Sequence, residues 1–161
     1  MSAIGSYAVL RRSGYAKCLE LARNIKTETT GKWIFKVSKV VGVEEFQKEW
    51  LESLVEEVDF NYSGYIVGNY LDAHDEISGP LYDQNSEPCS LLAKVFTAAF
   101  PFEESYRFPE LPSDKLLAFC SDEYGEADSQ GMAKAIKAAE PFYSEGIGKI
   151  STENLVVFII R

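Results

Sequence analysis

"LVVFII", residues 155–160, is an unbroken run of leucine, β-branched and aromatic side chains. A strand with one wet face alternates apolar and polar positions. A run with no polar position therefore reads as a strand covered on both faces, central in its sheet. The opposite end of the chain, "AIGSYAVLRR" (residues 3–12), also has strand character, with an irregularity expected near Gly5. Between them, "KWIFKVSKVV" (residues 32–41) alternates: Trp33, Phe35 and Val37 face one way and Lys32, Ile34, Lys36 and Ser38 the other. That pattern predicts a half-buried strand ending before Gly42. An N-terminal, a middle and a C-terminal strand together predict a small mixed or antiparallel sheet.

The remaining apolar pattern is helical. Ser13 is placed to cap a helix running to about Ile25, with Cys18, Leu21, Ala22 and Ile25 on one stripe, and "KTETTGK" (residues 26–32) reads as a turn. In "VEEFQKEWLESLVEEV" (residues 43–58), Phe46, Trp50, Leu54 and Val58 fall at successive i+4 positions, and Leu51 and Val55 widen the stripe. Glu45, Glu49, Glu52, Glu56 and Glu57 take the other side. "FNYSGYIVGNYLDAHDE" (residues 60–76) reads as a helix capped by Ser63, with Ile66, Tyr70, His74 and Ile77 inward and a stop at Ser78–Pro80. A helix from a Ser86 cap to about Phe100 tolerates Pro88 in its first turn. "PFEESYRFPELP" (residues 101–112) holds Pro101, Pro109 and Pro112 and cannot be regular. Ser113 caps the next helix, and another covers roughly Ser129 to Tyr143, with Pro141 limiting its last turn. The fold class expected is α+β, the sheet surrounded by five or six helices in a single domain over residues 1–161.

Charge is unevenly spread. The net charge is −9, but residues 1–43 carry eight Lys/Arg against two acids and residues 44–161 carry eight against 23. One consequence is internal: a basic N-terminal layer lying against an acidic remainder. Another is an acidic face that attracts a basic protein. Nucleic acid is an unsuitable partner, because neutralising phosphates needs a positive surface. Apolar runs fall well short of the ~18 residues of a membrane span, so no membrane is expected. "MSAIGSYAVLRR" is not a secretory signal, and three scattered cysteines (Cys18, Cys89, Cys120) suit reduced thiols in a cytoplasm.

Chemistry-bearing residues are few. The single histidine, His74, stands among Asp72, Asp75 and Glu76 and is the one catalytic candidate, yet on its stripe it reads as a partly buried, hydrogen-bonded core residue. Zinc and non-haem iron sites want several His or Cys ligands, so no metal and no cofactor are expected. Each cysteine lies in an apolar helical context that favours an inert thiol. "SEGIGK" (residues 144–149) follows a helix and matches neither phosphate-loop pattern. The candidate binding patch is the stretch holding Phe100, Phe102, Glu103, Glu104, Tyr106, Phe108 and Glu110. It is read either as an aromatic lid on the core or as anchors presented to a basic partner.

"MSAIGSYAVL" and "KAIKAAEPFYSEGIGKISTENLVVFII" resemble the first strand and the final helix–strand of the YfbM-like domain of unknown function. "EEFQKEWLESLV" is similar in type to that family's tryptophan-bearing helix. The resemblance implies a small bacterial cytoplasmic α+β protein and transfers no catalytic residue. Size, acidity and the aromatic patch are similar in kind to bacterial toxin immunity proteins. The expectation is thus a protein-binding module for a basic partner, of the toxin-neutralising kind, with a hydrolase-type enzyme using His74 as the alternative.

Overall fold

In the computed structural model, β6 (Asn154–Ile160) holds the position that its sequence demands. It has a strand on each side, and residues 155–160 are all buried. The structure describes residues 4–30, 37–60, 64–78 and 86–161. In chain order these form β1 (Gly5–Arg11), α1 (Arg12–Asn24), β2 (Lys26–Thr30), β3 (Val37–Val41), α2 (Val43–Ser53), β4 (Leu54–Phe60) and α3 (Gly64–Asp72). There follow α4 (Asp75–Ser78), α5 (Glu87–Leu92), β5 (Ala98–Pro101), α6 (Ser113–Tyr124), α7 (Glu126–Gly148) and β6. The fold is α+β, with a four-stranded antiparallel sheet of order β4-β1-β6-β5 and a separate β2–β3 pair. Seven helical segments lie among the described residues, above the five or six expected, because the helix expected through residues 64–77 is divided into α3 and α4.

Strand alternation sorts the core into two halves. Tyr7, Val9, Phe60, Phe100, Val156, Phe158 and Ile160 form one face, under residues of α3, α6 and α7. Ala8, Leu10, Ala99, Leu155, Val157 and Ile159 form the other, under α1, α2 and α5. Layers on both sides explain why residues 155–160 of β6 include no polar side chain.

Several local expectations are corrected. The helix expected over residues 43–58 ends at Ser53, and residues 54–60 are an edge strand paired with β1. Leu54 and Val58 satisfy period 2 as well as period 3.6. A register shift opposite Val9/Leu10 then sets Leu54 against one core and Val58 against the other, with Val55 left half-exposed. Between β1 and β6 in sequence, the main sheet therefore takes β4 and β5 and not the residues 37–41 of β3. "KTETT" is β2 rather than a turn, and it pairs with β3, whose described side chains Ser38, Lys39 and Val40 are exposed rather than half-buried. Trp33, Phe35 and the Ser63 cap lie outside the described residues. Helix α5 starts at Ser86, whose Oγ accepts from the Cys89 N–H at 3.4 Å, but stops at Leu92 because residues 98–101 pair with β6.

Ser13 and Ser113 each lie inside their helices, with Arg11 and Pro112 at the caps. Helix α7 runs from residue 126 to 148 with Pro141 in its interior. Proline removes one helical donor, but Tyr143 and Gly146 are buried against the sheet side and carry the helix onward. Gly42 (φ 89°) and Gly125 (φ 87°) take the left-handed turns that begin α2 and α7.

Candidate functional site

The 100–112 stretch is a lid. Phe100 stacks on Phe158 at 4.7 Å, Phe102 lies 4.7 Å from Tyr143, and Phe108 lies 5.3 Å from Tyr143 and 5.6 Å from Tyr70. Phe100, Phe102 and Tyr106 are buried and Phe108 is half-buried, so the aromatic side chains are core residues and do not stand out as surface anchors. The Phe102 N–H donates to Val156 O at 2.8 Å and the Tyr70 hydroxyl to Pro109 O at 2.6 Å, fastening both ends of the stretch. Arg107 donates to the Glu104 and Tyr106 carbonyls within the stretch. Only Glu103, Glu104 and Glu110 of the expected patch are exposed. Burial pushes the Tyr70 phenol up to about 12 and the Tyr106 and Tyr143 phenols upward as well.

His74 occupies the turn between α3 and α4, where Ala73 and His74 break the helix expected to run through them. Its ring lies between Tyr70 (4.8 Å) and Phe119 (5.1 Å), and Nδ1 is 2.9 Å from Tyr70 O. The ring is half-buried at the edge of the core, and it lines neither the cavity beside Trp50 nor those beside Cys89, Pro109 and Leu117. The inward stripe is Val67, Tyr70 and Leu71, while Ile77 is exposed. Cys18 and Cys120 are buried; desolvation raises Cys18 to about 12 and Cys120 in the same direction. Cys89, in the first turn of α5, is half-buried. Among the described residues no three His, Cys, Asp or Glu side chains converge as metal ligands would, and no helix is long and apolar enough to cross a membrane.

Glu56 and Glu57, neighbours in β4, pair with different cations, Lys149 and Arg161. Glu56 and Glu145 both bind Lys149, at the end of α7, with Glu145 at 3.0 Å. The ammonium sits 5.5 Å from the Tyr7 ring centroid, against which Gly146 packs. The Glu56 carboxylate holds the Lys149 pKa above its usual value, and Lys149 in turn lowers that of Glu145. A permanently charged lysine shared by two carboxylates ties α7 to β4 and offers no proton for chemistry near neutral pH.

A different group of acids has no such partner. The Asn69 amide reaches the Tyr124 hydroxyl at 3.4 Å and Tyr70 meets Phe119 edge-on at 5.6 Å, so α3 lies along α6. Asp72, Asp75 and Glu76 are thus carried by segments neighbouring the one that carries Asp122, Glu123, Glu126 and Asp128, with the contacts running antiparallel, Asn69 to Tyr124 and His74 to Phe119. All seven are exposed. Neither residues 64–78 nor residues 116–128 contain a Lys or Arg, and none of the seven forms an ion pair among the described residues. Tyr65 and Ile77, each 45% exposed, add apolar surface to α3 and α4. The available signal in the sequence was two separate stretches lacking any cation, on helices that pack against each other.

No model of a known protein family, no curated protein and no solved structure matches the chain.

Proposed function

We propose that the chain is a binding module that engages a basic protein through the corner formed by α3–α4 and the α6–α7 junction. The observation that carries this reading is the seven exposed carboxylates there with no cation among them. Like charges held together repel, so the arrangement costs stability in the free protein, and a lysine- or arginine-rich surface relieves that cost. The exposed Tyr65 and Ile77 supply apolar contact beside the charge. The surface replaces the 100–112 aromatics as the anchor, while Glu103, Glu104 and Glu110 widen the acidic field. In its narrower form the proposal is a bacterial cytoplasmic protein of the immunity type, masking the basic face of a toxin domain.

The test is co-purification from the native host at about 50 mM and 300 mM salt, followed by titration with the purified partner. The comparison protein carries Asp75→Lys, Glu76→Lys, Asp122→Lys and Glu123→Lys. A basic protein held at low salt, with association slowed by about tenfold or more at high salt and lost in the charge-reversed variant, supports the proposal. A partner that binds the folded charge-reversed variant equally well refutes it.

A further inference from the structure

On the opposite face of the sheet, α2 and the α5–β5 turn enclose a groove of about 520 Å³. That is within the range of small-molecule clefts, roughly 300–1,000 Å³. Its wall is an aromatic cluster: Trp50 stacks on Phe46 (5.7 Å) and lies 4.9 Å from Phe96, which meets Phe46 edge-on at 6.1 Å. Gln47 and Leu51, one turn apart on α2, form the rim, and Leu51 is 68% exposed. The Trp50 indole N–H is buried without a hydrogen-bond partner. Arg161 closes one end. Its guanidinium lies 5.7 Å from the Phe96 ring centroid and pairs with Glu57.

From this arrangement we infer that the groove binds a small carboxylate with an aromatic or apolar body. The body lies against Leu51 and Phe96, whose exposed apolar surface it covers, with the buried Trp50 beneath them. The carboxylate meets Arg161, the only charged side chain among the described lining residues. A guanidinium presents five N–H donors in a planar fork. Glu57 engages Nη1, which leaves further donors of the fork for a second carboxylate, and the Phe96 ring lies beside the guanidinium. Gln47 and Thr97 supply neutral polar contacts beside the head group. An amine would meet the guanidinium as a like charge, and a neutral amide would forgo the charge-assisted bond. The site lies on the face away from the acidic corner and does not depend on the reading of that corner.

The probes are 3-phenylpropionate, 3-phenylpropionamide and 3-phenylpropylamine, titrated into the whole chain. Binding is read from the Trp50 indole N–H resonance. The acid is expected to bind about tenfold more tightly than the amide, with the amine weaker still. Arg161→Gln is expected to erase the preference for the acid without weakening the amide. Gln47→Trp fills the groove, so all binding should vanish in a protein of unchanged thermal midpoint. Arg161→Lys keeps a charge opposite Glu57 and loses the fork, and it reads the same preference should Arg161→Gln not fold. Absence of any Trp50 shift at millimolar 3-phenylpropionate overturns the inference. Equal affinity for acid and amide, or a preference unchanged in both arginine variants, overturns it equally.

Discussion

Gly14→Ala tests the contact that joins the two helices of one layer, and two opposite effects on stability separate the possible outcomes. Gly14 lies near the start of α1, where a methyl group alone would favour the helix by roughly 0.5–1 kcal/mol. In the folded protein, however, a Cβ at this position would stand 1.8 Å from Ser53 Oγ and 2.5 Å from Ser53 Cβ. Rotating the serine hydroxyl relieves the first contact but not the second, so α1 and α2 must move apart. Overpacking of this kind costs roughly 1–3 kcal/mol. The expected balance is a loss of about 1–2 kcal/mol, or about 2–8 °C in thermal midpoint for a chain of this size. Ser53→Gly removes both atoms, so the double variant should recover at least about 1 kcal/mol relative to additivity in a urea-denaturation cycle. Stabilisation by Gly14→Ala, or a coupling within about 0.5 kcal/mol of zero, would refute the packing argument.

Two more predictions rest on burial. In the native protein one thiol of the three, Cys89, should react with a small disulfide reagent, and all three should react in denaturant; fast reaction of two thiols before unfolding would contradict the burial of Cys18 and Cys120. Stability should also fall as the solution is made alkaline. Tyr7, Tyr15, Tyr70, Tyr143, Cys18 and Cys120 keep their protons in the fold to higher pH than in the unfolded chain, because burial raises each pKa. Above about pH 9 the unfolded state thus binds fewer protons, and stability declines by up to about 1.4 kcal/mol per pH unit for each such group. Lys149, with its raised pKa, acts in the same direction once the unfolded lysine deprotonates. A thermal midpoint constant between pH 8 and pH 10.5 would contradict this.

The strands that face helices on both sides were legible because burial on both faces leaves a one-dimensional trace, a run without polar residues. β4 was not, since an edge strand beside one neighbour keeps Glu56, Glu57 and Asp59 wet or ion-paired, and its apolar residues also fit a helical stripe. The helix through residues 64–77 had the right type but the wrong extent. Its backbone tightens at the His74 N–H to Leu71 O bond (3.3 Å), and the ring closes on Tyr70 and Phe119, a contact between distant segments that no local period encodes. For the 100–112 stretch, composition admitted both a lid and a set of anchors. The partners Tyr143, Phe158 and Tyr70, all remote in sequence, decide for the lid. The two acidic segments were ordinary in sequence for the same reason: only the contacts of Asn69, Tyr70 and His74 with α6 make them neighbours.

The charge imbalance along the chain acquires a spatial meaning from these contacts. The basic N-terminal segment supplies α1, which lies against α2 and α5, where Lys17 pairs with Glu49 and Arg23 with Glu87. Arg11 and Arg12 are occupied as well, donating to the Glu52 and Ser151 carbonyls. The internal complementarity expected from the sequence is thus realised, but on one face of the sheet. A guanidinium or ammonium held there stands beyond the sheet and a helical layer from the α3–α6 corner, and the Debye length of about 8 Å at physiological salt leaves little of its field at that distance. Neutralising one layer therefore does not neutralise the other. The cations of α1 are committed to α2 and α5, and the acids of residues 72–76 and 122–128 form no ion pair among the described residues.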